Sequence, residues 1–140
     1  MPDRIFVDAN VLFSAAYSPD SRVGLLFELA HRARVDLLAS PFVIEEARRN
    51  LALKRPTREA QLDALLGKLL VVPNVDRRAV GPAYGLPLKD LPVLLAAMSG
   101  QAAMLVTGDA THFGHLYGHV GDEVLVTTVA GAIERLLEIP

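Results

Sequence analysis

Five short apolar runs, at residues 4–7, 35–39, 70–72, 104–107 and 124–127, recur along the chain, and longer segments with a helical period separate them. Runs that short and that continuous suit strands buried on both faces, whereas the intervening stretches repeat their apolar residues every three or four positions. Helices are predicted over 10–17, 21–34, 41–54, 57–69, 90–99 and 128–137. Local chemistry marks several boundaries: Ser40 precedes Pro41 as an N-cap before a first-turn proline, and Thr57 follows Pro56 as a stop and a new cap. Leu62, Leu65, Leu66 and Leu69 form one stripe of the fourth helix. Strand–helix alternation with short connections predicts an α/β fold, a three-layer α/β/α sandwich around a mostly parallel sheet. With 140 residues, the chain is expected to form a single domain over 1–140.

The absence of cysteine excludes disulfide scaffolds, thiol catalysis, iron–sulfur clusters and thiolate zinc sites. A metal must therefore rest on carboxylate, imidazole or carbonyl ligands. Apolar stretches break off well before the ~18 residues a membrane span needs, and Asp3 and Asp8 interrupt the segment where a signal peptide would need an apolar core. A cytoplasmic protein without membrane contact is expected. Fourteen basic residues against sixteen acidic ones, a net charge of −2, argue against a uniformly basic nucleic-acid coat but allow a local basic patch.

Open parallel sheets gather chemistry outside the carboxyl ends of their strands. Asp8 ends the first apolar run and Asp109 follows the fourth. Asp90 begins a helix, and Glu46 lies one turn into segment 41–54. On a helical wheel Val43, Ile44, Ala47 and Leu51 form the core stripe, with Glu46 flanking it and Glu45 turned further toward solvent. A lone aspartate after a strand is often only the cap of the next helix, Asp90 would cap acceptably, and no single acid here favours function on its own. Gathered in one cleft they need a cation among them, because like charges a few ångströms apart do not all stay ionised. Mg²⁺ or Mn²⁺, hard ions that favour oxygen ligands and act on phosphates, suit such a set and suggest phosphodiester hydrolysis. The residues alone leave open whether Glu46 and Asp90 reach the strand ends.

The series Phe6-Val7-Asp8-Ala9-Asn10, Glu46-Ala47-Arg48-Arg49-Asn50-Leu51, Lys89-Asp90-Leu91-Pro92 and Val106-Thr107-Gly108-Asp109, in that order, resembles the PIN-domain nucleases and, within them, the VapC-type toxins. The resemblance implies an acidic pocket for one or two Mg²⁺ or Mn²⁺ ions and a metal-dependent endoribonuclease. It also implies an RNA substrate, a homodimer and an antitoxin partner. Position by position it assigns Asp8, Glu46, Asp90 and Asp109 as catalytic metal ligands, with Asn10 and Thr107 in support. Many relatives carry a further aspartate before a phenylalanine shortly after the last acid, where this chain reads Thr111-His112-Phe113. His112 is then expected to support the site by hydrogen bonding or by binding a softer metal, and losing that acid points toward one ion. The departure also motivates an alternative: a catalytically weak or inactive PIN-like module that binds RNA or protein.

His112, His115 and His119 are spaced like zinc ligands on a helix, but Gly114 and Gly118 argue for solvated loop histidines. Arg48, Arg49, Lys54, Arg55 and Arg58 form a basic run with no acid inside it. It reads either as an RNA-tracking edge beginning one turn from Glu46 or as a solvated helix end. Aromatic residues are too few for an extended stacking platform; Phe13, Tyr17, Tyr84 and Phe113 are the candidates. A dehalogenase-type phosphatase needs an acid where Asn10 stands, and a receiver domain needs an aspartate and a lysine that the second and fifth apolar runs lack.

Overall fold

The structure is a computed structural model and describes residues 4–76, 83–118, 120–121 and 124–138. In chain order the elements are β1 (Arg4–Val7), α1 (Ala9–Tyr17), α2 (Arg22–Arg32), β2 (Asp36–Ala39), α3 (Pro41–Lys54), a 3-10 turn (Pro56–Arg58) and α4 (Glu59–Leu66). There follow β3 (Leu70–Val71), α5 (Leu91–Ser99), β4 (Met104–Val106), α6 (Ala110–Phe113), a further 3-10 turn (Gly114–Leu116), β5 (Val120–Gly121), β6 (Val124–Thr127) and α7 (Val129–Leu137). The sheet order is β3-β2-β1-β4-β6-β5, parallel throughout except for β5, which runs antiparallel to β6. Helices cover both faces, giving the three-layer α/β/α sandwich that the alternation implies.

The chain builds the sheet outward from β1 in one direction through β2 and β3, then crosses to the other side of β1 for β4 and β6. The order therefore reverses between β1 and β4, and the loops leaving their carboxyl ends diverge there. Such a reversal opens a crevice at the sheet edge where a ligand can sit. Its floor is rigid: Phe6, Val7, Leu105 and Val106 are fully buried, and every residue from Leu91 to Ala97 of α5 is buried. Truncating Leu105 to alanine in such packing costs about 2–5 kcal/mol, so the strand ends do not move cheaply.

Three local expectations are corrected. The segment 57–69 is not one helix: Pro56 opens a 3-10 turn that contains Thr57, and α4 ends at Gly67. Ser40 does stand at the N-cap of α3, yet its hydroxyl makes no capping bond and is buried without a hydrogen-bond partner. A short helix and a 3-10 turn occupy 110–116, where the glycines suggested loop, because the Asp109 carboxylate accepts the His112 N–H and nucleates the turn. The two-residue β5 is too short to show a period. No helix among the described residues is long and apolar enough to cross a membrane.

Candidate active site at the reversal of strand order

Pairing of Val7 with Val106 sets Asp8 and Thr107 side by side, one step beyond the two central strands. Asp8 is 5% exposed, and its backbone N–H still reaches Val106 O at 3.0 Å. As the N-cap of α1 its Oδ1 accepts the Ala9 N–H at 2.7 Å. Its Oδ2 accepts the Thr107 hydroxyl at 2.7 Å and the Asn10 amide at 3.3 Å. Asn10 Oδ1 in turn accepts the Gly108 N–H at 2.8 Å, and Thr107 Oγ1 accepts the Asp109 N–H at 3.1 Å. The two strand ends are thus laced together by polar side chains as well as by the sheet. The hydroxyl of Tyr117, a residue no sequence pattern singled out, adds a bond to Thr107 O at 3.1 Å from the turn after α6.

Hydrogen bonds to a carboxylate normally favour its charged form. Here burial outweighs them: the Asp8 carboxyl is pushed up to about 6, with the Thr107 and Ala9 bonds opposing the shift and the Glu46 and Asp90 charges adding to it. Glu46 is half-buried on α3, and its charge reaches Asp8. Its neighbour Glu45 is exposed, 3.7 Å from Arg49.

The opposite wall of the crevice is built differently. Asp90 occupies the N-cap position of α5 but makes no side-chain cap bond. Its carboxyl is raised by burial, which His112 and Lys89 partly offset and Asp109 reinforces. Asp109 begins α6 and uses Oδ1 to hold the His112 N–H at 3.1 Å, leaving Oδ2 turned to the ring three residues on. His112 Nδ1 lies 2.9 Å from Asp90 Oδ2 and 2.9 Å from Asp109 Oδ2. Neither contact has hydrogen-bond geometry, and both Nδ1 and Asp90 Oδ2 are buried without a hydrogen-bond partner. Buried polar atoms in that condition call for an explanation, such as strain, a catalytic role, or a water or ion. Asp90, Asp109 and His112 each present one donor atom, all within 4.8 Å of one another, which fits a small cation. Asp8 and Glu46 lie outside that close set and are joined to it through their charges.

The other expected residues are placed as follows. Arg48 is tied to Asp63 at 2.8 Å, so an acid from α4 answers a charge that looked solitary in sequence. Lys54 lies over the Phe13 ring at 5.4 Å, and Arg55 lies over the Tyr17 ring at 4.9 Å while donating to Tyr17 O at 2.8 Å. Arg58 is half-buried at the end of the 3-10 turn. Phe13 and Tyr17 pair with centroids 5.4 Å apart, whereas Phe113 is core. A cavity of about 600 Å³ runs from Phe13 and Tyr17 past Tyr117 to Thr107 and Gly108, and so opens on the strand end that carries Asp109. Of the three clustered histidines, His112 is no solvated loop residue. His115 Nε2 meets Tyr84 O at 2.8 Å, and His119 lies outside the described residues.

The sequence model of the PIN domain family matches residues 4–111, from β1 into α6. The chain belongs to the PIN domain family. No curated protein matches it in sequence. Among solved structures, this PIN domain is similar to PAE2754 from Pyrobaculum aerophilum, at 22% identity and a TM-score of 0.67, covering 98% of this chain and 97% of that one. It is also similar to a chain of VapBC2 from Rickettsia felis, solved on a DNA fragment from the promoter, at 14% identity and a TM-score of 0.64, covering 89% and 98%. DNA-bound VapBC from Salmonella typhimurium gives 12% identity and a TM-score of 0.63, covering 92% and 99%. At these identities the likeness is one of fold.

Proposed function

We propose that this PIN domain is a divalent-metal-dependent endoribonuclease and that Asp8, Glu46, Asp90 and Asp109 hold its Mg²⁺ or Mn²⁺, directly or through water. The observation that carries the reading is the meeting of acids from α3, α5 and the ends of β1 and β4 at one crevice, beside buried donor atoms with no hydrogen-bond partner. The ion, when bound, supplies Lewis-acid stabilisation of phosphate charge and a water of lowered pKa. The chain's own residues set the stage for it. Thr107 and Asn10 fix the rotamer of Asp8, and Asp109 is oriented by the first turn of α6. Glu46 adds negative charge on the Asp8 side. Lys54 and Arg55, laid over Phe13 and Tyr17, offer a cationic and aromatic approach suited to a single strand, and the adjoining cavity leads it to Thr107 and Gly108. Arg48, Arg49 and Arg58 extend the positive edge outward.

The likeness to chains of VapBC complexes supports a second protein, an antitoxin, as partner. The test is cleavage of an end-labelled single-stranded RNA with Mn²⁺, with Mg²⁺ and with chelator. Cleavage that needs the ion, leaves 5′-phosphate and 3′-hydroxyl ends and disappears in Asp8→Asn supports the proposal. Undiminished cutting by that variant contradicts it. A protein that binds RNA and Mn²⁺ but never cuts is instead a binding module of the same fold.

A further inference from the structure

We propose that His112 is itself a metal ligand through Nδ1, and that the site therefore prefers a borderline dication of the Mn²⁺ class to Mg²⁺. The inference rests on the metal-dependent reading above and concerns which atoms and which ion. Its geometry begins with α6. Asp109 takes the His112 N–H on Oδ1, which locks the first turn and leaves Oδ2 and the imidazole of the i+3 residue on the same side. Asp90 approaches from the N-terminus of α5, so donors from two elements converge on one ring nitrogen, each at 2.9 Å.

An ordinary hydrogen-bonded histidine does not look like this. A protonated Nδ1 directs its one hydrogen along the ring axis to a single acceptor, and a bare Nδ1 repels both carboxylates. Here Nδ1 stands within ion-pair distance of both carboxylates, yet neither Nδ1 nor Asp90 Oδ2 makes a hydrogen bond. The three residues each present one donor atom, all within 4.8 Å of one another. In an octahedral shell with metal–donor distances of about 2.1 Å, adjacent donors stand about 3 Å apart, which the two Nδ1–oxygen distances of 2.9 Å allow.

The donor type then decides among octahedral ions. Mg²⁺ dehydrates reluctantly and favours oxygen, whereas imidazole suits the first-row transition ions, whose affinity rises along the series from Mn²⁺. Replacing a carboxylate by a neutral nitrogen also removes one negative charge. That loss weakens binding of every dication, and only an ion that gains from nitrogen ligation recovers part of it.

The experiment is pulsed electron paramagnetic resonance on the Mn²⁺-loaded protein, with Mn²⁺ and Mg²⁺ affinities measured by calorimetric competition. Wild type is expected to show electron spin-echo modulation from a directly bound ¹⁴N. His112→Gln and His112→Asp should lose it, while His115→Gln should keep it. His112→Asp should also move the Mn²⁺/Mg²⁺ preference toward Mg²⁺ by about tenfold or more, since even residues that only orient a ligand are worth that much. Thermal melts of the metal-free variants check that the fold persists. Mn²⁺ bound without nitrogen coupling overturns the role of His112 and leaves the carboxylate site standing. No Mn²⁺ binding at all overturns both readings. An unchanged ion preference in His112→Asp overturns the selectivity claim.

Discussion

The two walls of the crevice hold their acids in opposite ways. On the β1 side Asp8 is buried and bonded to Thr107, Asn10 and the Ala9 N–H, so its direction is set before anything binds. On the α5–α6 side Asp90 and His112 keep buried atoms with no hydrogen-bond partner, and Asp90 makes no cap bond although it stands in the cap position. One wall is held by hydrogen bonds within the protein, and at the other His112 Nδ1 meets Asp90 and Asp109 through ion-pair contacts alone. The contrast accounts for stability as well as function, because even the satisfied wall carries a carboxyl that burial has raised to about 6. On the proposed reading a cation would serve both walls, meeting the unbonded donors of one and relieving the charge held in the other.

The largest expected effect comes from Asp8→Asn, which removes charge at nearly constant shape. Cleavage should fall by more than about a hundredfold, as loss of a ligand worth several kcal/mol implies. In the metal-free variant the pH dependence that Asp8 confers on stability should disappear, while the new amide nitrogen leaves one of the donors from Ala9, Thr107 and Asn10 without its acceptor. An acid whose folded pKa is raised binds its proton more tightly in the native state, so its contribution is fully present below the unfolded value of 3.8 and is lost as pH rises through about 6. For Asp8 that loss amounts to about 3 kcal/mol. Denaturant melts of metal-free wild type between pH 4 and pH 7 should show the decline, Asp8→Asn should flatten it, and saturating Mn²⁺ should offset it at neutral pH. A wild-type profile that rises across that window would break the comparison.

Thr107→Val comes next and sharpens the same contrast. It strips the donor from Asp8 Oδ2 and the acceptor from the Asp109 N–H at nearly constant volume. Each orphaned buried group costs about 1–3 kcal/mol. Cleavage should fall about 10–100-fold, as for other residues that orient metal ligands. An activity loss without a stability loss would mean that Thr107 works on the substrate and not on Asp8.

Much of this was legible from the chain alone, for a physical reason. The central strands are short apolar runs, so β1 and β6 begin and end where the pattern does, although Leu70 and Val71 of the outlying β3 are exposed. Asp8 and Asp109 stand where those patterns break, at the sheet edge where parallel folds gather chemistry. Glu46 could be told from Glu45 because a helix has only one inward face. What escaped was whatever depends on contacts between distant segments. Arg48 finds Asp63 only once α3 and α4 pack, and Tyr117 meets Thr107 only through the 3-10 turn. His112 looked like a loop residue because Gly114 and Gly118 mask the single turn that Asp109 nucleates.

The smallest effects belong to the basic edge, outside both walls. Arg48 and Asp63 form an exposed pair, so Arg48→Ala should change stability by less than about 1 kcal/mol. Arg55 lies over Tyr17 beside the cavity, and Arg55→Ala should lower the slope of log RNA affinity against log salt by about 0.7, the share of one phosphate contact on a single strand. Fluorescence anisotropy across a salt series measures the slope for both variants, and denaturant melts measure the stability of Arg48→Ala. A larger slope change for Arg48 than for Arg55 would move the strand path away from the aromatic pair.

The most direct test is an anomalous-difference map from crystals grown or soaked with Mn²⁺. A peak between Asp90, Asp109 and His112, with Asp8 and Glu46 facing it directly or through water, is the predicted result. Strong Mn²⁺ peaks elsewhere on the molecule, with this crevice empty, would contradict the account.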